Sequence, residues 1–448
     1  MKKFLFTLLL ALIAFTETSF QLDYSNKKSK VPECSKNPNY NANIRPRIAV
    51  ISHDSAINTF TQNPEQGARD AATILDVQLE WNSHFINSAS KMKSDIYDAV
   101  NDKVDGIIVT IPNQEVLEAV KYAISKNIPV LVYSAGLEYA EQLGLTRILL
   151  RNRDSGYEIA RELLRRGYTN PLVIQISTID DVTFGSRLLG IGDVFGKQPD
   201  LLVISDENDT IQSINTLTDH LIKNTQYDSV ISLGGSQGTS IVSTAALSVL
   251  RNNTNRKLGV AFFDTSDMSM PTLIAEHKDV FGISQLPYFQ AALPVFIMYL
   301  RIITGFDVFK NQTIDTGPIW VTNDTWPLVK QNEQTTLIPL KEKDAKVGAI
   351  VPNSEGDSYN GAILAGFREL ATRLNWHVWN VVESGPLGVS LQLKREIDHY
   401  VEKQVAGFLI QTSNPDVLSY ALTKVNNTDI PMVTLGNFYE PLDFIITR

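Results

Sequence analysis

Val104-Asp105-Gly106-Ile107-Ile108-Val109-Thr110 decides the fold of this chain. It runs on into Pro112-Asn113-Gln114-Glu115-Val116-Leu117 and is answered by Ile128-Pro129-Val130-Leu131-Val132-Tyr133. The order reads as strand, turn, helix, strand. An apolar run without polar alternation is what a parallel strand needs when both its faces are buried. The pattern returns as Val405-Ala406-Gly407-Phe408-Leu409-Ile410-Gln411, then Asn414-Pro415-Asp416-Val417-Leu418, then Ile430-Pro431-Met432-Val433-Thr434-Leu435. The chain therefore holds one α/β module and at least the start of a second.

Upstream, a strand is expected over Arg47 to Ile51, a helix over Gly67 to Leu75, a strand over Val77 to Trp81 and a helix around Ile96, Ala99 and Val100. Downstream, a helix covers Val116 to Ser125. This alternation is the signature of an open parallel sheet with helices on both faces. Beyond it, the amphipathic stretch Ser155 to Arg166 is closed by Gly167, a favourable helix terminator. A second α/β set follows. Its strands are Pro171 to Ile176, Leu201 to Ser205, Ser229 to Leu233, Leu258 to Phe263 and Val280 to Gln285. Helices are expected around Leu188 to Phe195, Ile214 to Lys223 and Ser240 to Leu250. A long apolar helix, Gln290 to Ile303, ends at Gly305, and Ile319 to Thr322 is a late strand.

The repeat resumes at Lys346-Val347-Gly348-Ala349-Ile350-Val351. Val347 lies 299 residues after Ile48, and Gly366 lies 299 after Gly67, with Gly366-Phe-Arg368-Glu-Leu-Ala371-Thr372 matching Gly67-Ala-Arg69-Asp-Ala-Ala72-Thr73. The second copy reaches its fourth strand before Arg448, one lobe's worth of sequence. The expected organisation is a targeting segment at 1–19, a polar leader at 20–45 and a bilobal unit at 46–326. Its N-lobe spans about 46–150 and its C-lobe about 151–318. A polar linker at 327–345 precedes a partial module at 346–448.

At 448 residues the chain is long enough for several lobes with their own cores. A formal net charge of -9 argues against nonspecific nucleic-acid binding, which needs a basic face. Lys2-Lys3, the apolar stretch Phe4 to Phe15 and the small or polar Thr16, Thr18 and Ser19 read as a secretory signal peptide, too short to span a bilayer comfortably. The expected location is secreted or extracellular, or periplasmic in a bacterium. Sequons begin at Asn208, Asn252, Asn311, Asn323 and Asn426, acceptors if the host glycosylates. Cys34, the only cysteine, precludes an intrachain disulfide and a multi-cysteine zinc site.

Four residue patterns carry a family resemblance. Asn58-Thr59-Phe60 follows the first strand and precedes Gly67-Ala68. The Val104 block has its downstream helix. Ser186-Arg187-Leu-Leu-Gly190 opens a helix of the second set. Ile283-Ser284-Gln285-Leu286-Pro287 sits where the chain changes lobe. Together they resemble the type I periplasmic-binding-protein fold, in particular its ribose and autoinducer-type sugar-binding group, which shares its fold with the ligand domains of LacI-type repressors. The resemblance covers about 45–325, and its N-lobe half again over 346–448. It implies an α/β architecture of two doubly wound parallel-sheet lobes plus an additional N-lobe-like α/β module. It also implies a ligand cleft between the lobes at the carboxyl ends of the strands, in keeping with the rule for open α/β sheets. The implied cleft residues are Asn58, Phe60, Tyr133, Ser134, Arg187, Asp264 and Gln285. Arg and Asp suit charge-assisted hydrogen bonds to hydroxyls, Gln both gives and accepts, and aromatic faces stack on sugar C–H surfaces.

Two departures stand out. The family's Asp-Arg pair after the fourth strand is Ser134-Ala135-Gly136 here, and its Asn after the C-lobe's third strand is Gly234. Fewer charged anchors leave room for a larger or less polar ligand than a pentose. Gly234-Gly235-Ser236-Gln237-Gly238 lacks the Lys-Ser/Thr ending of a phosphate loop and reads as a tight turn. Asp180-Asp181 reads as a solvated pair, and His53 and His84 as cleft-rim or surface residues. Trp320 and Trp326 read as packing. Ser186 has no His partner at a motif spacing, and no nucleophile elbow is present. The expectation is a secreted, non-enzymatic protein that closes on a small polar molecule, a carbohydrate, with no cofactor and no metal. The alternative is the extracellular sensor region of a membrane receptor, with a downstream membrane or signalling partner.

Overall fold

The computed structural model describes residues 45–435 except 56–58, 85–87, 177–181, 205–208, 254, 267–268, 308, 334–344, 353–366, 369–370, 373–375, 384–388, 413, 427 and 429. Its first sheet is built from β1 (Arg47–Ser55), β2 (Gln78–His84), β3 (Gly106–Val109), β4 (Val130–Tyr133), β5 (Arg147–Leu149) and β11 (Thr313–Asp315), in the order β11-β5-β4-β3-β1-β2. All its pairings are parallel. Strands β3 and β4 are buried at every position, as their unbroken apolar runs require. Helices α1 (Thr59–Leu75), α2 (Ala89–Asn101), α3 (Gln114–Ser125) and α4 (Leu137–Gln142) connect them. Asn113 caps α3 by accepting from Val116 N at 3.2 Å, and Val116, Leu117, Val120 and Ala123 form its buried stripe.

The second sheet contains β6 (Pro171–Ile176), β7 (Asp200–Ile204), β8 (Ser229–Ser232), β9 (Gly259–Phe263), β10 (Val280–Ser284) and β12 (Ile319–Val321), ordered β12-β10-β9-β8-β6-β7. Only β12 among these runs antiparallel to its neighbour. Its helices are α5 (Asn152–Arg165), α6 (Val182–Phe195), α7 (Thr210–Lys223), α8 (Ser236–Asn252) and α9 (Met270–Glu276). A long helix, α10 (Pro287–Thr304), leaves this sheet and packs along α1 against the first. It ends on Gly305 in the left-handed conformation, as expected. By length and apolarity α10 matches a membrane span, yet every residue from Pro287 to Tyr299 is buried inside the protein.

The chain passes between the two sheets three times: from β5 into α5, from β10 into α10, and from β11 into β12. The crossings lie side by side. A Cβ on Gly317 would come within 3.0 Å of Leu150 Cδ1 and 3.1 Å of the Ser284 carbonyl. A third sheet, β14-β13-β15-β16, combines β13 (Ala345–Pro352), β14 (Trp376–Glu383), β15 (Gly407–Gln411) and β16 (Met432–Leu435) with α12 (Val389–Glu402) and α13 (Pro415–Asn426). Its strand order repeats that of β2-β1-β3-β4.

Several elements differ from expectation. Strands β5 and β11 are three residues each, too short to show a period. Helix α1 begins at Thr59 rather than at Gly67, so Thr59 and Phe60 belong to its first turn. Helix α6 begins at Val182, which puts Ser186-Arg187 in its second turn rather than at its opening. The stretch 327–345, read as a linker, begins instead within a helix, α11 (Trp326–Glu333), because Val329 finds a buried place in the second sheet's core.

Candidate functional site

The carboxyl ends of β8, β9 and β10 bring three of the expected residues together. Asp264 follows β9 with φ of 66°, and its amide donates to the Ile283 carbonyl at 2.9 Å. That left-handed kink aims its carboxylate back across the strand ends. Gln285, one residue past β10, donates from Nε2 to Asp264 Oδ1 at 2.6 Å. The Gly235 amide donates to Asp264 Oδ2 at 2.9 Å. The glycine turn after β8 is therefore a tight strand-to-helix turn, and the anion its backbone N–H faces is the protein's own carboxylate.

Arg187 completes the cluster from α6. Its guanidinium lies 4.2 Å above the Phe263 ring, donates from Nε to Asn152 Oδ1 at 2.9 Å and from Nη1 to the Leu233 carbonyl at 2.6 Å. Nη1 is 3.8 Å from Asp264 Oδ2, an ion pair without a hydrogen bond. Arg187 is held there because α6 lies backbone to backbone on α5. A Cβ on Gly190 would collide with the Arg153 carbonyl, and one on Gly156 with the Arg187 carbonyl. This is the physical content of the Arg-x-x-Gly spacing. Gly234 has the same logic. With φ of 140°, its Cβ would run into Arg187 Nη1, so the arginine occupies the space an Asn would need.

The cluster is almost sealed. Exposure is 1% at Arg187, 4% at Asp264 and 5% at Gln285. Two contacts between the lobes close over this region: Ser186 Oγ donates to Glu138 Oε1 at 2.7 Å, and the Val182 amide to the Pro112 carbonyl at 3.4 Å. Below the cluster, Gln290 of α10 donates from Nε2 to Gln285 Oε1 at 3.1 Å and to Thr316 Oγ1 at 2.9 Å. A buried polar chain thus runs from Asp264 through Gln285 and Gln290 to the third crossing. At that crossing Arg151 Nε bonds both Asp315 oxygens at 3.1 and 2.9 Å. Burial raises the pKa of the Asp315 carboxyl, and Arg151 opposes it.

The other expected residues stand apart. Tyr133 turns onto the first sheet's core, on the face that carries Leu131, with its ring 6.5 Å from that of Trp81. Ser134 caps β4 with φ of 60°, and its amide donates to the Ile148 carbonyl at 3.0 Å. Asn58 lies outside the described residues, as do the side chain of Phe60 and the Asp180-Asp181 pair. Asn152, Gln290, Thr316, Phe263 and Glu138 were not anticipated. Gln290 carried a usable signal, as the one amide in the apolar run Pro287 to Met298, where a buried polar group demands a partner. His84 pairs with Asp95 at 2.6 Å, and Trp320 packs on Phe281 at 5.9 Å. Of the sequons, Asn208 lies outside the described residues, while Asn252, Asn311, Asn323 and Asn426 are exposed.

Residues 48–305 match the family model described as periplasmic binding protein domain. No curated protein matches the chain. Among solved structures, a carbohydrate transporter from Acidothermus cellulolyticus in complex with myo-inositol is 24% identical, with a TM-score of 0.57, covering 65% of this chain and 100% of that one. A periplasmic sugar binding protein from Legionella pneumophila is 20% identical, with a TM-score of 0.53 and coverage of 61% and 100%. A solute binding protein from Burkholderia graminis in complex with D-arabinose is 22% identical, with a TM-score of 0.53 and coverage of 62% and 96%. At these identities the likeness is one of fold.

Proposed function

The chain belongs to the periplasmic binding protein domain family, a family of binders and not of enzymes, and on that premise we propose that it captures a small polyhydroxylated molecule, a carbohydrate, between its two lobes. The observation that carries this reading is the Arg187–Asp264–Gln285 cluster at the strand ends. A carboxylate has about four acceptor positions, so the two bonds Asp264 makes to protein leave room for ligand hydroxyls. Beside it, a guanidinium held rigid by Asn152, Leu233 and Phe263 presents its donors without further loss of side-chain freedom. Sugars named with similar structures, myo-inositol and D-arabinose, have the matching chemistry.

A cluster this buried admits nothing unless the lobes part. Function then consists of opening about the three crossings, capture, and closure, with ligand favouring the closed population. The signal-like N-terminus supports a location outside the cytoplasm, and in this reading 46–326 is the binding unit and the sequons are glycan sites in a host that uses them.

The test is a thermal-shift and calorimetry panel of inositols, aldopentoses and aldohexoses on the full chain. At a hundredfold excess over Kd, a true ligand adds about 2.7 kcal/mol of stability. Stabilisation by one or a few polyols, lost in Arg187→Ala, is expected. A panel with no response, or a response that Arg187→Ala retains, overturns the reading.

A further inference from the structure

We propose that α10 is shared between two sheets: one face closes the first sheet, and the opposite face is the docking surface for the third. Residues 345–435 would then fold as part of the N-lobe and not as a second, separate binding unit. The argument begins in the sequence. Between Pro287 and Met298 the helix is apolar on every side apart from Gln290, and a helix of that kind must be covered on every side. Met298 marks the inner face, since a Cβ on Gly106 of β3 would collide with its sulfur. Phe289, Leu293 and Phe296 fall on the other side of the helix by the 3.6-residue period. A core helix with one face to water would carry polar residues there. Instead these three are only 4%, 3% and 5% exposed.

Their covering surface lies in the apolar cluster to which they belong. One continuous apolar cluster holds α10, α1, the Ile48, Val50, Ile108 and Leu131 face of the first sheet, and Val347, Ala349, Leu409 and Val433 of the third. Those last four occupy the register positions that Ile48, Val50, Ile108 and Leu131 hold in the first sheet. In the first sheet that face is closed by α1 and α10. Among the described residues of 345–435, no helix stands in the α10 position: the helical residues Phe367 and Ala371, which match Ala68 and Ala72 of α1, join the shared cluster, while α12 and α13 pack on the opposite face, around Ile350, Phe408 and Ile410. The first module's α10 meets the need from its outer side. This holds whatever the cleft binds.

Hydrogen exchange read by mass spectrometry on the full chain, along a urea series, tests it. Peptides from β13, β15 and β16 are expected to lose protection together with those from β1, β3 and α10. Phe296→Glu places a charge in the shared layer and should lower protection of β13, β15 and β16 by about tenfold or more, while β6, β8 and β9 stay unchanged and Phe296→Leu behaves as wild type. Because Phe296→Glu could unfold the N-lobe outright, a second variant works from the far side. Leu393→Ala sits in the third sheet's own cluster, and coupling requires it to lower protection in α10 as well. Third-sheet strands that open alone in urea, or an α10 indifferent to Leu393→Ala, overturn the proposal.

Discussion

Arg187 is the residue on which most depends. Its guanidinium is nearly inaccessible and tied to Asn152, the Leu233 carbonyl and Phe263. Arg187→Ala leaves Asp264 buried beside an empty site, and we expect a loss of about 3 kcal/mol in urea unfolding together with loss of binding. Arg187→Lys should not rescue binding, because a single ammonium cannot serve Asn152 and Leu233 at once. A different residue sets an acid limit. Hydrogen bonds from Arg165 and then Arg166 hold the Glu162 carboxyl at about 2, against its ordinary 4.5. A lowered carboxylate stabilises the fold above its unfolded pKa, and that contribution is lost as pH falls toward 2. With Arg165 largely in solvent, the effect is about 1 kcal/mol. Glu162→Gln should flatten the stability profile between pH about 4.5 and 2 by that amount. A profile that keeps its wild-type slope excludes this source.

At the scale of elements, the crossing of α5 and α6 decides whether the cluster forms. Gly156 and Gly190 let the two backbones touch, and that contact fixes the turn that carries Arg187. Gly190→Ala should cost about 1–3 kcal/mol and weaken binding, since the new methyl meets a backbone carbonyl that cannot rotate aside. Unchanged unfolding and binding curves would sink this account. Gly234→Asn should likewise lose binding, because its Cβ enters the space of Arg187 Nη1. The Ser186-Arg187-x-x-Gly190 spacing was readable as a motif. Its cause was not, because close helix packing depends on which helices meet, and α6 begins four residues before Ser186. The three-residue strands β5 and β11 were invisible for a similar reason. Their pairing, not their composition, makes them strands.

For the whole molecule, the balance between open and closed lobes rests on few direct contacts among the described residues. The Ser186 bond to Glu138 is one that a side chain controls. Glu138→Ala should shift the equilibrium toward opening by about 1 kcal/mol, roughly fivefold, visible as a larger radius of gyration in small-angle scattering and a proportionally weaker ligand affinity. No change in either quantity would show that closure is set elsewhere, at the three crossings. The buried chain from Asp264 through Gln285 and Gln290 to Thr316 links the proposed site to those crossings.

The sequence by itself determined the α/β class, most strands of the two sheets and the return of the first module's elements over 346–448. These follow from local information: apolar runs, helix stops and spacings between residues close in the chain. Arg187, Asp264 and Gln285 came instead from the family resemblance, within a set of seven of which the structure brings these three together. Only the tertiary structure decided that Tyr133 faces a core while Arg187 faces the strand ends. It alone supplied Asn152, Gln290 and Thr316 as partners from distant segments. It also decided that α10 is buried on all sides from Pro287 to Tyr299. A polar group's partner and a helix's covering surface are properties of long-range packing, and side-chain pattern along the chain does not encode which distant surface will meet it.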